Sequence, residues 1–422
     1  MSNNKPMHAI EKILAKHAGK ETVSTGEIIN CEVDVAEVND LYLQTIRSFY
    51  EIGGKKVKHP DRIAFVMDHY APAPTIQSAD NQKAMREFVW DQDIKHLFEI
   101  NEGVCHQVLI EAGLIQPGKI IVETDSHTTI MGAFGAVGTG VGATDMASIM
   151  LTGELWFRVP EIIKINIDGN LKDGVMAKDI ILNILGELKQ NIAVYKGVEF
   201  SGEAVKSLTL AERMVLCNMA VEMGAKTSYI EPDEKVFDYV KSKTEEPFTV
   251  FETDSGYEYN EEYNFSVDEL TPQAAFPGSI DDVHPINNCE GEKVDQVLIG
   301  TCTGGRVEDF EIAAKIIGDK KIDPKCRLVA VPASKGVLLE ITRKGILEKL
   351  TEAGAAIVTP GCGPCLGAHE GVLAPGEVCT STSSRNFPGR MGSRDARIYS
   401  VSPATAATTA LNGKITDPRN VI

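Results

Sequence analysis

The spacing of apolar positions changes repeatedly along the chain, and each change marks an element. In residues 7–17, Ile10, Ile13, Leu14 and His17 recur at helical spacing, which predicts an N-terminal amphipathic helix packed on the body of the protein. Short apolar runs at 62–67 and 119–123 have the length of buried strands, and they alternate with helical stretches at 82–87 and 105–112. Strands interleaved with helices predict α/β layers. After the run at 119–123 come Asp125-Ser126-His127-Thr128-Thr129, glycines at 132, 135, 138, 140 and 142, and a helical stretch over 143–157 closed by Val159-Pro160. A new strand-like run at 162–167 ends in Asp168-Gly169, so a domain boundary is expected near residue 160. Further on, 294–299 reads as a buried strand, Gly300-Thr301-Cys302-Thr303 as a turn, and 306–317 as a helix with Ala313, Ala314 and Ile317 on its apolar side. Three α/β units follow: 1–160, 161–284 and 285–422.

Composition narrows the class. With 422 residues, 43% hydrophobic and 24% charged, the chain is a folded globular protein of two or three domains. The formal charge of −18, from 42 basic and 60 acidic residues, repels phosphate backbones and anionic lipid, so neither nucleic acid nor membrane is expected as a partner. Without a long apolar run, a signal-peptide core or an Arg-rich transit pattern, the expected location is cytoplasmic. The charge is unevenly spread: residues 231–270 hold thirteen acids against three lysines, a net of −10, and read as a solvated acidic excursion within the second unit.

Nine cysteines are too sparse for a disulfide scaffold, so thiols or metal ligands are expected. Cys362 and Cys365 stand in Pro360-Gly361-Cys362-Gly363-Pro364-Cys365, a tight turn able to present both thiolates to one metal. A bare C-x-x-C fits a redox pair, half a zinc site or part of an iron–sulfur site. Cys302, at a strand-to-helix turn where α/β proteins tend to place ligands, adds a third candidate, one short of a closed four-thiolate cluster. Cys31, Cys105, Cys217, Cys289, Cys326 and Cys379 lack paired spacing and read as ordinary thiols.

Asp68-His69 and Asp125-Ser126-His127 each set a carboxylate beside an imidazole at a strand end, with His106 between them, which predicts a proton-handling site. Adjacent strand residues face opposite ways, so the acid and base partners of each are expected from elsewhere in the chain. Gly138, Gly140 and Gly142 fit neither a P-loop nor a dinucleotide fingerprint, and they predict close packing or a tight backbone turn. From 381 to 397, Arg385, Arg390, Arg394 and Arg397 face the single acid Asp395, a local +3 that suits a carboxylate.

Taken in order, Asp68-His69, Asp125-Ser126-His127-Thr128, Gly300-Thr301-Cys302-Thr303, Pro360 to Cys365 and Arg385-Asn386-Phe387-x-Gly389-Arg390 resemble the aconitase superfamily nearly end to end, specifically the large subunits of its 3-isopropylmalate dehydratase (isopropylmalate isomerase) branch. The resemblance implies three α/β/α-type domains packed around one 4Fe-4S cluster held by Cys302, Cys362 and Cys365. It implies carboxylate–imidazole pairs of Asp68 with His69, Asp125 with His106 and Glu222 with His127, and positioning groups at Asn39, Ser126, Asn218, Arg385 and Arg390. It also implies a swivelling fourth domain that supplies a serine base; because this chain stops at Ile422, that domain is expected on a separate small subunit. The implied activity is a hydro-lyase acting reversibly on a small hydroxy dicarboxylate, foremost the interconversion of 3- and 2-isopropylmalate. Gly304 and Ser384 stand where the branch commonly has asparagine, which makes 2,3-dimethylmalate and homocitrate- or citramalate-type acids alternative substrates. An iron–sulfur electron carrier would call for a fourth cysteine ligand, and an RNA-binding regulator for a basic groove.

Overall fold

The computed structural model describes residues 5–421. Its first sheet is fully parallel, in the order His96–Phe98, Ile63–Val66, Val35–Asn39, Ile120–Glu123, Val137–Gly140. The second is also parallel: Thr227–Tyr229, Gly197–Ser201, Ile162–Asp168, Glu261–Ser266. The third has seven strands: Val283–Pro285, Gln273–Ala275, Arg397–Val401, Val378–Ser381, Gln296–Gly300, Arg327–Val331 and Ala356–Ile357. Its last five are mutually parallel, while Gln273–Ala275 pairs antiparallel with both of its neighbours. The strands Gln273–Ala275 and Val283–Pro285 start upstream of residue 285, yet they pair into the third sheet. The first and second sheets share one apolar core, in which Val35, Ala64 and Ile121 meet Ile163, Ile165 and the helix Ala177–Leu188.

Parallel sheets buried on both faces take near-continuous apolar strands, as in Ile63–Val66 and Gln296–Gly300, where every residue is buried. In open α/β sheets ligands bind outside the carboxyl ends of such strands, where the strand order reverses. In the first sheet the reversal lies between Val35–Asn39 and Ile120–Glu123, and in the third between Gln296–Gly300 and Val378–Ser381. Asn39 is the last residue of its strand, and Asp125, Cys302 and Arg385 follow closely on the ends of theirs.

Two expectations are corrected. The helix predicted over 143–157 stops at Thr152, because Gly153 takes a left-handed conformation (φ 74°) and Glu154–Arg158 alternates exposed and buried as a strand paired with Ile28–Glu32. The acidic stretch 231–270 is no solvated excursion. It contains the helix Glu234–Lys241, sends Phe251, Tyr257 and Tyr259 onto the core of the first sheet, and closes the edge of the second with Glu261–Ser266. Along that strand Tyr263 and Phe265 are half-buried while Glu262, Asn264 and Ser266 are exposed, so much of the acid faces water from an ordered scaffold. Among the described residues, no helix is long and apolar enough to cross a membrane.

Candidate active site

The strand Ile63–Val66 ends before Asp68, which frees the backbone to fold Asp68 onto its own neighbour: His69 Nδ1 donates to Asp68 Oδ1 at 2.6 Å. The expectation that each Asp/His element draws its partners from elsewhere therefore fails at this pair, since strand alternation no longer applies beyond the strand end. The backbone of this turn is fixed by Asp40, whose carboxylate accepts from the His69 and Tyr70 amides at 2.8 and 3.0 Å. Asp68 Oδ2 accepts the amide of Cys105, the first residue of the helix Cys105–Glu111, which carries His106.

Asp125 is the hub. Its Oδ1 accepts the His127 amide at 2.7 Å and lies 3.3 Å from both His127 Nδ1 and His106 Nε2, while His69 Nε2 is 3.5 Å from its Oδ2. Burial opposes ionisation of Asp125, but hydrogen bonds from His106, His127 and His69 outweigh it and hold the carboxyl well below the ordinary range. Conversely, burial disfavours a charged His69, yet Asp68 and Asp125 hold it well above the ordinary imidazole value; Glu123 and Asp125 do the same for His106. The surrounding carboxylates thus favour the protonated form of His69 and of His106.

On the other side, Glu222 Oε1 accepts from His127 Nε2 at 2.9 Å and from Arg385 Nε at 2.8 Å, and Arg385 Nη2 donates to Ser126 Oγ at 3.0 Å. Burial raises the Glu222 carboxyl, but His127 and Arg385 together bring it below 4.5. Asn218 lies beside the Cys302 thiol, and among the described residues no group meets either atom of its buried amide at full hydrogen-bond geometry; Asn39 Nδ2 and Arg390 Nε are likewise unpartnered. Of the four arginines in the basic stretch, Arg385 and Arg390 enter the site, whereas Arg397 pairs with Glu292 at the surface.

Cys302, Cys362 and Cys365 are all buried. Arg390 Nη2 donates to Cys365 Sγ at 3.3 Å, and one ligand atom from each of Asp68, His69 and Cys362 lies within 4.8 Å of the others. Gly361 makes this approach possible: a Cβ there would sit 2.6 Å from the Asp68 carbonyl, which accepts the Cys362 amide at 2.8 Å. Cys105, read from spacing as an ordinary thiol, packs with Cys302 and Cys362. Glycines also hold the Asp125 turn against the sheet, since a Cβ on Gly138 or Gly140 would meet the carbonyls of Thr128 or Asp125 at 2.2 and 2.4 Å.

Sequence reasoning missed Asp40, Glu123, which grips His106 Nδ1, and Arg306, whose buried guanidinium donates to the Cys302 carbonyl at 2.6 Å. It also missed Lys178, which donates to the Thr382 and Ser383 carbonyls at 3.2 and 2.9 Å. A signal existed for Glu123, a buried acid closing the otherwise apolar strand Ile120–Glu123.

Known proteins are similar to this chain over nearly its whole length. The model of the aconitase family (aconitate hydratase) matches residues 11–293 and 287–413. The chain is 47% identical over 410 residues to a 3-isopropylmalate dehydratase large subunit 1 of Methanopyrus kandleri, covering 97% of this chain and 98% of that one. It is 46% identical over 418 residues to a probable methanogen homoaconitase large subunit of Methanothermobacter thermautotrophicus, covering 98% of each. A 3-isopropylmalate dehydratase large subunit of Aquifex aeolicus is 43% identical over 422 residues, covering 99% and 98%. Buried thiols beside carboxylate-held imidazoles at two sheet reversals, in a chain matched from end to end, make this protein a member of the aconitase family and a hydro-lyase.

Proposed function

We propose that this chain is the large subunit of a two-subunit iron–sulfur hydro-lyase that reversibly removes water from an alkylmalate-type hydroxy dicarboxylate, with 3-isopropylmalate/2-isopropylmalate interconversion as its first reading. The observation that carries it is the convergence of three carboxylate–imidazole pairs, Asp68–His69, Asp125–His106 and Glu222–His127, beside three buried thiols and Arg385. The large-subunit names of the relatives support a small-subunit partner, and on this reading that partner carries the base.

The residues present fit one 4Fe-4S cluster. Cys302, Cys362 and Cys365 supply three thiolates, and the unpartnered Asn218 amide, Asn39 Nδ2 and Arg390 Nε are polar groups that a cluster and a bound hydroxy acid would satisfy. When bound, the cluster supplies a Lewis-acidic iron without a protein thiolate. The remaining work belongs to the chain. His69, kept protonated between Asp68 and Asp125, donates its Nε2 proton to the departing hydroxyl. Arg385, held by Glu222 and Ser126, and Arg390 set the substrate carboxylates. The proton on the adjacent carbon goes to a base of the partner, so the large subunit alone is expected to be inactive.

Two features favour a second substrate reading, 2,3-dimethylmalate or a homocitrate- or citramalate-type acid. Gly304 and Ser384 stand where the branch commonly has asparagine, which removes two amides near the site, and the buried Ser384 hydroxyl has no partner among the described residues. Anaerobic reconstitution with the small subunit, followed by a screen of substituted malates for alkene absorbance, tests both. If no hydroxy acid reacts while the cluster is intact, the hydro-lyase reading of this site fails.

A further inference from the structure

Two carboxyl groups outside the substrate-facing set are buried side by side. Glu37 and Glu123 are register partners on the neighbouring parallel strands Val35–Asn39 and Ile120–Glu123, so their side chains leave the same face of the sheet with Cα atoms about 5 Å apart. Both residues are 0% exposed. Glu123 Oε2 engages His106 Nδ1, but among the described residues Glu123 Oε1 and both oxygens of Glu37 have no hydrogen-bond partner. The ionisable groups facing Glu37 and Glu123 are Asp68, Asp125, Cys105, Tyr42 and His106, and His106 is the one base among them.

Two ionised carboxylates here would be adjacent like charges in a buried site where His106 is the one cation, paired with Glu123 alone, an arrangement that a single retained proton relieves. We propose that Glu37 and Glu123 form a carboxyl pair holding one proton at neutral pH, with Glu37 the protonated member, and that the pair positions His106 by fixing a proton on its Nδ1. Glu123 then stays ionised on His106, and the ring is held with Nε2 toward Asp125. Burial first, then the neighbouring Glu123 and Asp68, push the Glu37 carboxyl well above its ordinary value, in keeping with this assignment. Glu37 touches no group assigned to substrate; it is a positioning residue acting through Glu123.

This inference rests on the hydro-lyase reading only where turnover is measured. Infrared difference spectroscopy of the reconstituted holoprotein without substrate tests the proton directly. The unmodified protein at neutral pH is expected to show a protonated-carboxyl C=O band that shifts in heavy water, and this band is expected to vanish in Glu37→Gln and in Glu37→Met, either of which decides if the other fails to fold. A carboxyl region identical in the unmodified protein and a folded variant overturns the proposal, as does the lack of any protonated-carboxyl band in the unmodified protein. With the small subunit present, Glu123→Gln is expected to lower kcat on the order of 10- to 100-fold with KM little changed. Failure of every hydroxy acid to react would sink the functional reading and leave the infrared result standing.

Discussion

Gly140 and Gly142 lie two residues apart at the end of one strand, yet alanine should act very differently at the two. At Gly140 a Cβ would sit 2.4 Å from the Asp125 carbonyl oxygen and 2.9 Å from Ser126 Cα, against an ordinary contact of 3.4 Å or more. Backbone must therefore yield by about 1 Å, a strain of roughly 1–3 kcal/mol. The segment that yields carries Asp125, Ser126 and His127, and through Asp125 it sets the distances to His69 and His106. A displacement of about 1 Å at such a constellation is enough for a rate loss on the order of 100-fold. At Gly142 a Cβ meets nothing within 4 Å, and φ −80° with ψ 171° suits alanine. Gly142→Ala should therefore keep kcat within about twofold and stability within about 1 kcal/mol. The assay is dehydration by the reconstituted two-subunit enzyme, with thermal unfolding of the same samples. Equal turnover in Gly140→Ala and Gly142→Ala would refute the claim that the glycine stretch sets the Asp125 turn by close packing.

Glu222→Gln removes the charge shared by His127 and Arg385 and should lower kcat/KM by about 10- to 100-fold, from about 1.5–3 kcal/mol for a charge-assisted hydrogen bond, as initial-rate kinetics would show. The same variant tests a pH dependence: because Glu222 is held below its unfolded value of 4.5, its stability contribution is present above that value and is lost as pH falls through the folded one. Denaturation from pH 6 down to pH 3 should thus be less steep in Glu222→Gln than in the unmodified protein. Cys302→Ser, Cys362→Ser and Cys365→Ser should each lose most of the iron and visible absorbance that the unmodified protein gains on reconstitution, whereas Cys326→Ser, away from the site, should bind iron normally. Arg390→Lys keeps the charge but not the planar donor set facing Cys365; it should raise KM about tenfold or more, and an unchanged KM would remove Arg390 from the substrate set.

Much of the fold and site was legible along the chain. Helical spacing at Ile10, Ile13 and Leu14 announced the helix Ala9–His17, and apolar runs announced Ile63–Val66, Ile120–Glu123 and Ile162–Asp168 within a residue or two. Period-two alternation at Glu154–Arg158 was masked by the helical stretch running into it, and only Gly153 separates the two. The acidic segment misled because charge density was read as solvation, while every second residue of Glu261–Ser266 packs inward.

By itself the sequence determined the family and marked most of the candidate residues: an Asp or His placed just past a strand end, a cysteine at a glycine-rich turn, an arginine in a basic island are local patterns, and the family order of those patterns is linear. Tertiary structure alone decided which of them meet. Asp125 gathers His69, His106 and His127 because Ile63–Val66 and Ile120–Glu123 flank the same central strand, Val35–Asn39, and Glu222 reaches His127 from the second sheet's layer across 95 residues. The same pairing of strands put Glu37 against Glu123, a contact no local pattern encodes. Register between strands distant in sequence is set by packing over whole sheets, so burial and the protonation it imposes appear only when the sheets are assembled.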